Sequence, residues 1–326
     1  MGRARDSGIS IIRSAVLGAI FLSMAAAALA FPDKPVRIVV GFPPGGSDIS
    51  VRILAPKFQE IWGQPVVVEN RAGAAGNIGA DVVAHSAPDG YTVLLCVNSY
   101  TINTTVYKNL NWDLLRDFAP VGRYAVSPLA VVVHDKFPVK SLAELIAFAK
   151  ANPGKLNYGS AGAGSAPHLA AELFSIQTGV QMVHVPYKGS APSVTALIAK
   201  EVDFSFGALS AFEGVIKDGR VRMLAVTTAK RSNQLPDVPT VGESGVPGFD
   251  VDIWYGLLLP AKTPVAVVSK MSEDLGRVMS DADTQAKLRQ RGLDPAYLDA
   301  QKMGDLMRRD VARWRDVATR IKLTLD

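Results

Sequence analysis

Short apolar, β-branched runs alternate with stretches of helical period along most of the chain. Val36-Arg37-Ile38-Val39-Val40 predicts a buried strand, after which Ile49, Ile53, Leu54 and Phe58 recur on one helical face. Val66–Asn70 and 91–97 predict further strands, and a glycine-rich turn at 71–77 leads from the first of these into a helix over 78–85. An apolar stretch over 121–133 is interrupted by Ser127-Pro128. Ser141 is placed to cap a helix over 142–151, which Asn152-Pro153-Gly154 stops. Strand patterns return at 155–158, 183–186, 202–207 and 222–228, with helices over 192–199 and 210–218 between them. Prolines 236, 239, 247 and 260 mark an irregular segment, and two long amphipathic helices over 266–291 and 300–322 follow.

Strand–helix alternation predicts mainly parallel α/β sheets. Two places repeat one local design. Gly41-Phe42-Pro43-Pro44-Gly45-Gly46-Ser47-Asp48 follows a strand and enters a helix that Ser47 or Asp48 can cap. Tyr158-Gly159-Ser160-Ala161-Gly162-Ala163-Gly164-Ser165-Ala166-Pro167-His168 does the same, with Ser165 as the cap, Pro167 in the first turn and Gly179 as the stop. Glycines free the loop backbone to present N–H groups, and a helix N-terminus adds unpaired donors and partial positive charge. Such a unit can seat a carboxylate or phosphate, or serve only as a tight turn. Because the two units lie far apart in sequence, we expect two domains around a cleft, each aiming one helix N-terminus at a shared ligand. The expected division is 31–128 plus 228–326 against 129–227, with the last helices packing on the first domain.

Residues 1–30 stand apart. Arg3, Arg5 and Arg13 precede an alanine-rich apolar run that ends in Ala28-Leu29-Ala30, which is the pattern of a signal peptide cleaved after Ala30. The run is short for a membrane span, and no later segment approaches the roughly twenty apolar residues a span needs. The about 296 residues that follow are long for one core and favour two domains. Removing the leader lowers the net charge from +5 to +3. The basic residues are scattered, which gives no support to nucleic-acid binding. The single cysteine, Cys96, sits in an apolar run and reads as a small buried hydrophobe. Histidines 85, 134, 168 and 184 are dispersed without metal-ligand spacing. Gly162-x-Gly164 lacks the third glycine of a dinucleotide fingerprint, and Gly242-x-Ser244-Gly245 misses the nucleophile-elbow pattern by one position. No cofactor or metal is expected.

The chain resembles the Bug family of periplasmic solute-binding proteins, the TctC-like receptors of tripartite tricarboxylate transporters. The resemblance runs through Phe31-Pro32-Asp33-Lys34-Pro35-Val36-Arg37, Phe42-Pro43-Pro44-Gly45-Gly46-Ser47-Asp48 and Pro65-Val66-Val67-Val68-Glu69-Asn70-Arg71-Ala72-Gly73-Ala74. It continues through Pro88-Asp89-Gly90-Tyr91-Thr92, Tyr158-Gly159-Ser160-Ala161-Gly162 and Val185-Pro186-Tyr187-Lys188-Gly189. Leu235-Pro236-Asp237-Val238-Pro239-Thr240, Pro247-Gly248-Phe249 and Trp254-Tyr255-Gly256 complete it. It implies a two-domain Venus flytrap, monomeric, that captures a small carboxylate in the periplasm and delivers it to an integral-membrane permease. It also implies that backbone donors from the loops 43–48 and 160–168 hold the carboxylate. One departure is visible: the first loop is a residue shorter than the family pattern before Arg52.

The candidate ligand residues are therefore Pro43, Pro44, Gly45, Gly46, Ser47 and Asp48 in the first loop, and Ser160, Ala161, Gly162, Ala163, Gly164, Ser165 and His168 in the second. His168 could donate to the anion or bond to the neighbouring loop from the helix surface. Asp48 beside an anion site is expected to cap its helix, to order the loop, or to meet the ammonium of an amino-acid ligand. Asn98 and Ser99 at a strand end could reach the cleft or form a turn. Tyr187, Lys188 and Gly189 could meet the ligand's distal group. Trp254 and Tyr255 could wall the cleft or pack between domains. Di- and tricarboxylates, aromatic acids and amino acids all remain open as ligands. The alternatives to a transport receptor are an exported hydrolase using the same anion seat and a binding module for a membrane sensor.

Overall fold

A computed structural model describes residues 31–232 and 235–325; the leader and its cleavage site lie outside the described residues. The first part of the chain runs β1 (Val36–Val40), α1 (Gly46–Trp62), β2 (Val66–Asn70), a 3-10 turn (Ala74–Gly76), α2 (Asn77–Ala84), β3 (Thr92–Val97), α3 (Ser99–Val106) and β4 (Phe118–His134). The middle runs α4 (Leu142–Ala151), β5 (Leu156–Ser160), α5 (Ala166–Thr178), β6 (Met182–Pro186), α6 (Ser190–Ala199), β7 (Phe204–Ala208), α7 (Leu209–Lys217) and β8 (Val221–Val226). The chain then returns through β9 (Asp252–Pro260), α8 (Val265–Ser280), α9 (Ala282–Arg289), β10 (Asp294–Leu298) and α10 (Ala300–Arg320).

The strands lie in the order β2-β1-β3-β9-β4-β7-β5-β6, with β8 and β10 also paired to β4. The sheet is mixed, which corrects the expectation of a mainly parallel one. β1 pairs in parallel with β2 and β3, and β5 with β6 and β7, as strand–helix–strand units require. The strands that join the two halves run antiparallel. β4 leaves the first half and β9 returns to it alongside, so they pair head to tail from Phe118↔Pro260 to Pro128↔Asp252. Beyond Pro128, β4 pairs instead with β7 and β8. The Ser127-Pro128 break in the sequence pattern is thus the point where one long strand passes from one half of the sheet to the other. A proline, having no N–H for the ladder, is tolerated where pairing changes hands.

Each half has its own core. Val39, Phe58, Leu94, Leu258 and Met271 belong to the first, and Val131, Leu169, Phe174 and Phe206 to the second. A smaller cluster around Val132, Leu197 and Phe212 covers the other face of the second half. Cys96 is buried in β3, as its apolar neighbours predict. The last helix does not pack on the first half alone. Met303, Met307 and Val311 of α10 enter the first core, while Trp314, Val317 and Ala318 enter the second. Buried Trp254 of β9 reinforces this bridge by donating from Nε1 to Asp310 Oδ2 at 2.7 Å.

Three local readings change. The expected helix over 266–291 breaks at Asp281, whose backbone is extended and whose carboxylate accepts the Thr284 N–H at 2.8 Å, starting α9 afresh. A short strand, β10, then precedes α10. Finally, α3 occupies Ser99–Val106, where the sequence offers polar β-branched residues and no strong helix signal. Burial of Tyr100, Ile102 and Val106 overrides that weak propensity.

Candidate functional site

A cavity of about 330 Å³ opens at the junction of the two halves. The beginnings of five helices converge on it: Ser47 of α1, Asn98 and Ser99 of α3, Ser165, Ala166 and Pro167 of α5, Ser190 of α6, and Ala208 immediately before α7. Each N-terminus carries roughly half a positive charge and leaves its first N–H groups without intrahelical partners. Elsewhere, side chains of Ser141, Asp281 and Asp299 cap α4, α9 and α10. Of the five helices at the cleft, only α5 has a side-chain cap; the N-cap positions of the others are Gly45, Asn98, Gly189 and Ala208, none of which caps through its side chain. Among the described residues, the cavity wall contains no Lys, Arg, His, Asp or Glu. The site is therefore electropositive through its backbone alone.

The second loop supplies Ala161, Ala163, Gly164 and Ser165 to the wall. Gly162 (φ 130°) and Gly164 (φ 74°) adopt backbone angles that a side chain would strain. Ser165 Oγ accepts the His168 N–H at 3.4 Å and donates to the Gly162 carbonyl at 2.7 Å, confirming the cap. The N–H groups of Ala161, Ala163 and Ala166 have no protein acceptor among the described residues. The glycine N–H groups, by contrast, are used internally: Gly162 donates to Ser160 Oγ at 3.1 Å, and Gly164 to His168 Nδ1 at 3.1 Å.

His168 is accordingly neither a surface group nor a ligand donor. It is 5% exposed and stacks on His184 with ring centroids 3.9 Å apart. His184 contacts Ser160 Oγ at 2.7 Å and stacks on Tyr158, whose hydroxyl donates to Glu172 at 2.6 Å. Burial, aided by the neighbouring His184, pulls the His168 pKa down to about 3, and burial pulls His184 down to about 4. Both rings are neutral near pH 7, so Nδ1 of His168 is free to accept from Gly164. The stacked pair, with the Glu172 carboxylate 3.9 Å from His168 Nε2, sets the loop's shape from behind. Ser160 is buried in the same network and does not line the cavity. Tyr187 lies half-buried with its hydroxyl near Glu201 (3.4 Å), Lys188 is exposed, and Gly189 donates its N–H to Ala161 O at 3.1 Å. The backbones of Tyr187 and Gly189 brace the loop, and all three residues are absent from the cavity wall.

In the first loop, Ser47 and the neighbouring Phe42 line the cavity among the described residues. Pro43 and Pro44 are exposed, and α1 begins at Gly46, so neither Ser47 nor Asp48 is the cap. Asp48 is buried and holds Arg52 Nε through both carboxylate oxygens at 3.0 and 2.9 Å. Arg52 continues to Asn70 Oδ1 at 3.1 Å, and Asn70 Nδ2 donates to the Phe42 carbonyl at 2.9 Å. Asp48 thus orders the loop through a relay and is absent from the cavity wall. Asn98 ties the end of β3 to the start of β9 within the first half by donating Nδ2 to Asp252 O at 2.7 Å. Ser99 Oγ is buried without a protein partner.

The remaining wall was not foreseen in full. Tyr255 lines the cavity, while Trp254 is the one that packs between helices and sheet. Ser190, Asn103, Tyr107, Ala208, Ile253 and Leu325 carry no sequence signal for a site; they reach it because the folded chain brings helix starts, the start of β9, the end of α3 and the segment after α10 together.

Residues 50–323 match the model of the TctC family, described as the tripartite tricarboxylate transporter family receptor. The chain belongs to the TctC receptor family. A relative from Pseudomonas sp. strain P51, a UPF0065 protein in the tcbD-tcbE intergenic region, is 36% identical over 322 residues, covering 96% of each chain. The structure of R. palustris Rpa4515 with adipate is 36% identical with a TM-score of 0.77, covering 89% of this chain and 97% of that one. MatC (Rpa3494) from Rhodopseudomonas palustris with bound malate is 29% identical with a TM-score of 0.73, covering 88% and 99%. This TctC receptor accordingly has the two-lobed α/β architecture of the periplasmic binding proteins, with its helix N-termini gathered where the lobes meet.

Proposed function

We propose that this receptor captures a small carboxylate in the periplasm, after removal of residues 1–30, and passes it as a monomer to the membrane permease of a tripartite transporter. The lobes are 31–128 plus 228–326 and 129–227, and hinge closure about the β4–β9 crossing brings them together on the ligand. One observation carries the reading: five helix N-termini meet at a cavity whose wall, among the described residues, holds no charged side chain. A carboxylate there gains several N–H donors and satisfies dipoles that otherwise repel one another. The adipate and malate bound by its structural relatives fit this chemistry. Asp48 is buried and outside the cavity wall, which leaves an amino-acid ammonium without a counter-charge and favours acids lacking an amino group.

Catalysis is not the reading favoured here. The close Ser160–His184 contact has the elements of a nucleophile–base pair, but Ser160 is fully buried and neither residue lines the cavity. A thermal-shift screen of small acids, amino acids and neutral sugars tests the proposal. Acids are expected to stabilise the protein by roughly 2.7 kcal/mol at a hundred times their dissociation constant and to be recovered unchanged. Stabilisation by sugars alone, or chemical turnover of the acid, would refute it.

A further inference from the structure

The segment after α10 turns back into the ligand cleft. Lys322 adopts φ 53°, and the Leu323 N–H returns to Ala318 O at 2.9 Å, reversing the chain. Leu325 then docks beside the end of α3: its N–H donates to Val106 O at 2.7 Å, its carbonyl accepts the Lys108 N–H at 3.4 Å, and it forms a parallel bridge with Tyr107. Backbone bonds on both sides fix where its side chain goes. That side chain lines the cavity. It also sits directly over the second anion loop, since a methyl group built on Gly164 would stand 2.8 Å from Leu325 Cδ1.

We propose that Leu325 is a specificity-determining wall that limits the length of the acid this receptor accepts. The proposal rests on the carboxylate reading and deepens it. An acid whose head group is held by the free N–H groups of Ala161 and Ala163 lies beside Leu325, which covers Gly164 next to them and narrows the space its chain can take. Leu325 also presents only methyl groups, so the part of the ligand that meets it is apolar. The wall is half-buried and held by its backbone, so its side chain can be shortened without removing the strap.

The test is isothermal titration of the full mature chain with straight-chain mono- and dicarboxylates of increasing length, comparing wild type, Leu325→Ala and the near-isosteric Leu325→Met. In the wild type, affinity should rise with length and then fall sharply at a cutoff. Leu325→Ala should move that cutoff outward by one to three methylenes, with affinity gaining roughly fourfold for each newly accommodated methylene. Leu325→Met should keep the wild-type cutoff. An unchanged cutoff in Leu325→Ala, or an equal loss for every acid, would overturn the wall while leaving carboxylate binding intact. Failure of every acid to bind the wild type would overturn both.

Discussion

The stacked imidazoles behind the second loop make a quantitative prediction about acid. His168 has a folded pKa of about 3, below the ordinary 6.5, because burial and the adjacent His184 disfavour its charged form. The unfolded ring takes up a proton near pH 6.5 while the native ring stays neutral, so the native state loses stability as pH falls from 6.5 toward 3. At pH 5 the unfolded imidazole is almost wholly protonated, which costs the fold about 2 kcal/mol relative to pH 7 or above. Spread over the unfolding entropy of a chain this size, that is a drop in Tm of about 3 °C. His184, which is only partly buried, acts with the same sign and a smaller weight.

Asp252 acts oppositely. Burial raises its pKa to about 7, so its native carboxyl holds a proton that the unfolded carboxyl has lost, and this contribution grows as pH falls from 7 toward 4. The wild-type pH profile therefore sums opposing slopes and tests neither group alone. The informative quantity is the difference between wild type and His168→Asn. Asparagine can still accept the Gly164 N–H but cannot take up a proton. The variant loses the ring stack and should be less stable at pH 7.5. Between pH 7.5 and 5, however, its Tm should change by about 3 °C less in the destabilising direction than that of the wild type. Parallel Tm profiles for the two proteins would refute a neutral, buried His168.

Ser99→Ala should weaken acid binding by roughly 5- to 10-fold while Tm in the absence of ligand holds or rises, because the hydroxyl it removes is buried and unpaired; titration calorimetry and a melting curve check the two halves. Asp48→Asn should lower stability by roughly 1 kcal/mol through the weakened Arg52 relay. It should confer no affinity for amino acids and leave acid affinity nearly unchanged, as a ligand panel would show. Trp254→Phe should cost roughly 1–3 kcal/mol in denaturant unfolding by removing a donor from buried Asp310 and leaving it the Arg313 hydrogen bond.

The two loop–helix units were legible because glycine and capping residues act locally. Ser165 caps α5 and Gly179 ends it in the left-handed region, just where the residue types place them. The same local logic misplaced Ser47 and Asp48. A polar residue near a helix start is a plausible cap, but Gly45 already holds the N-cap position and Asp48 finds a stronger partner one turn on in Arg52. His168 could not be placed from sequence because its partner, His184, lies on a neighbouring strand brought alongside by β5–β6 pairing. The mixed sheet and the split allegiance of α10 escaped for a similar reason. Strand direction and the choice of core depend on where the chain returns after a long excursion, and hydrophobic period does not record that. Ser190 and Leu325 reach the cleft through the same long-range geometry.

The most direct measurement is the backbone amide spectrum of isotopically labelled protein during titration with the acid that stabilises it most. Bound carboxylate should shift the amides of Ser47, Ala161, Ala163 and Ala166 downfield together, in both lobes, and those of Gly162 and Gly164, already bonded internally, much less. Saturable binding that leaves those four amides unmoved, or moves them in one lobe only, would contradict capture of the anion by converging helix N-termini.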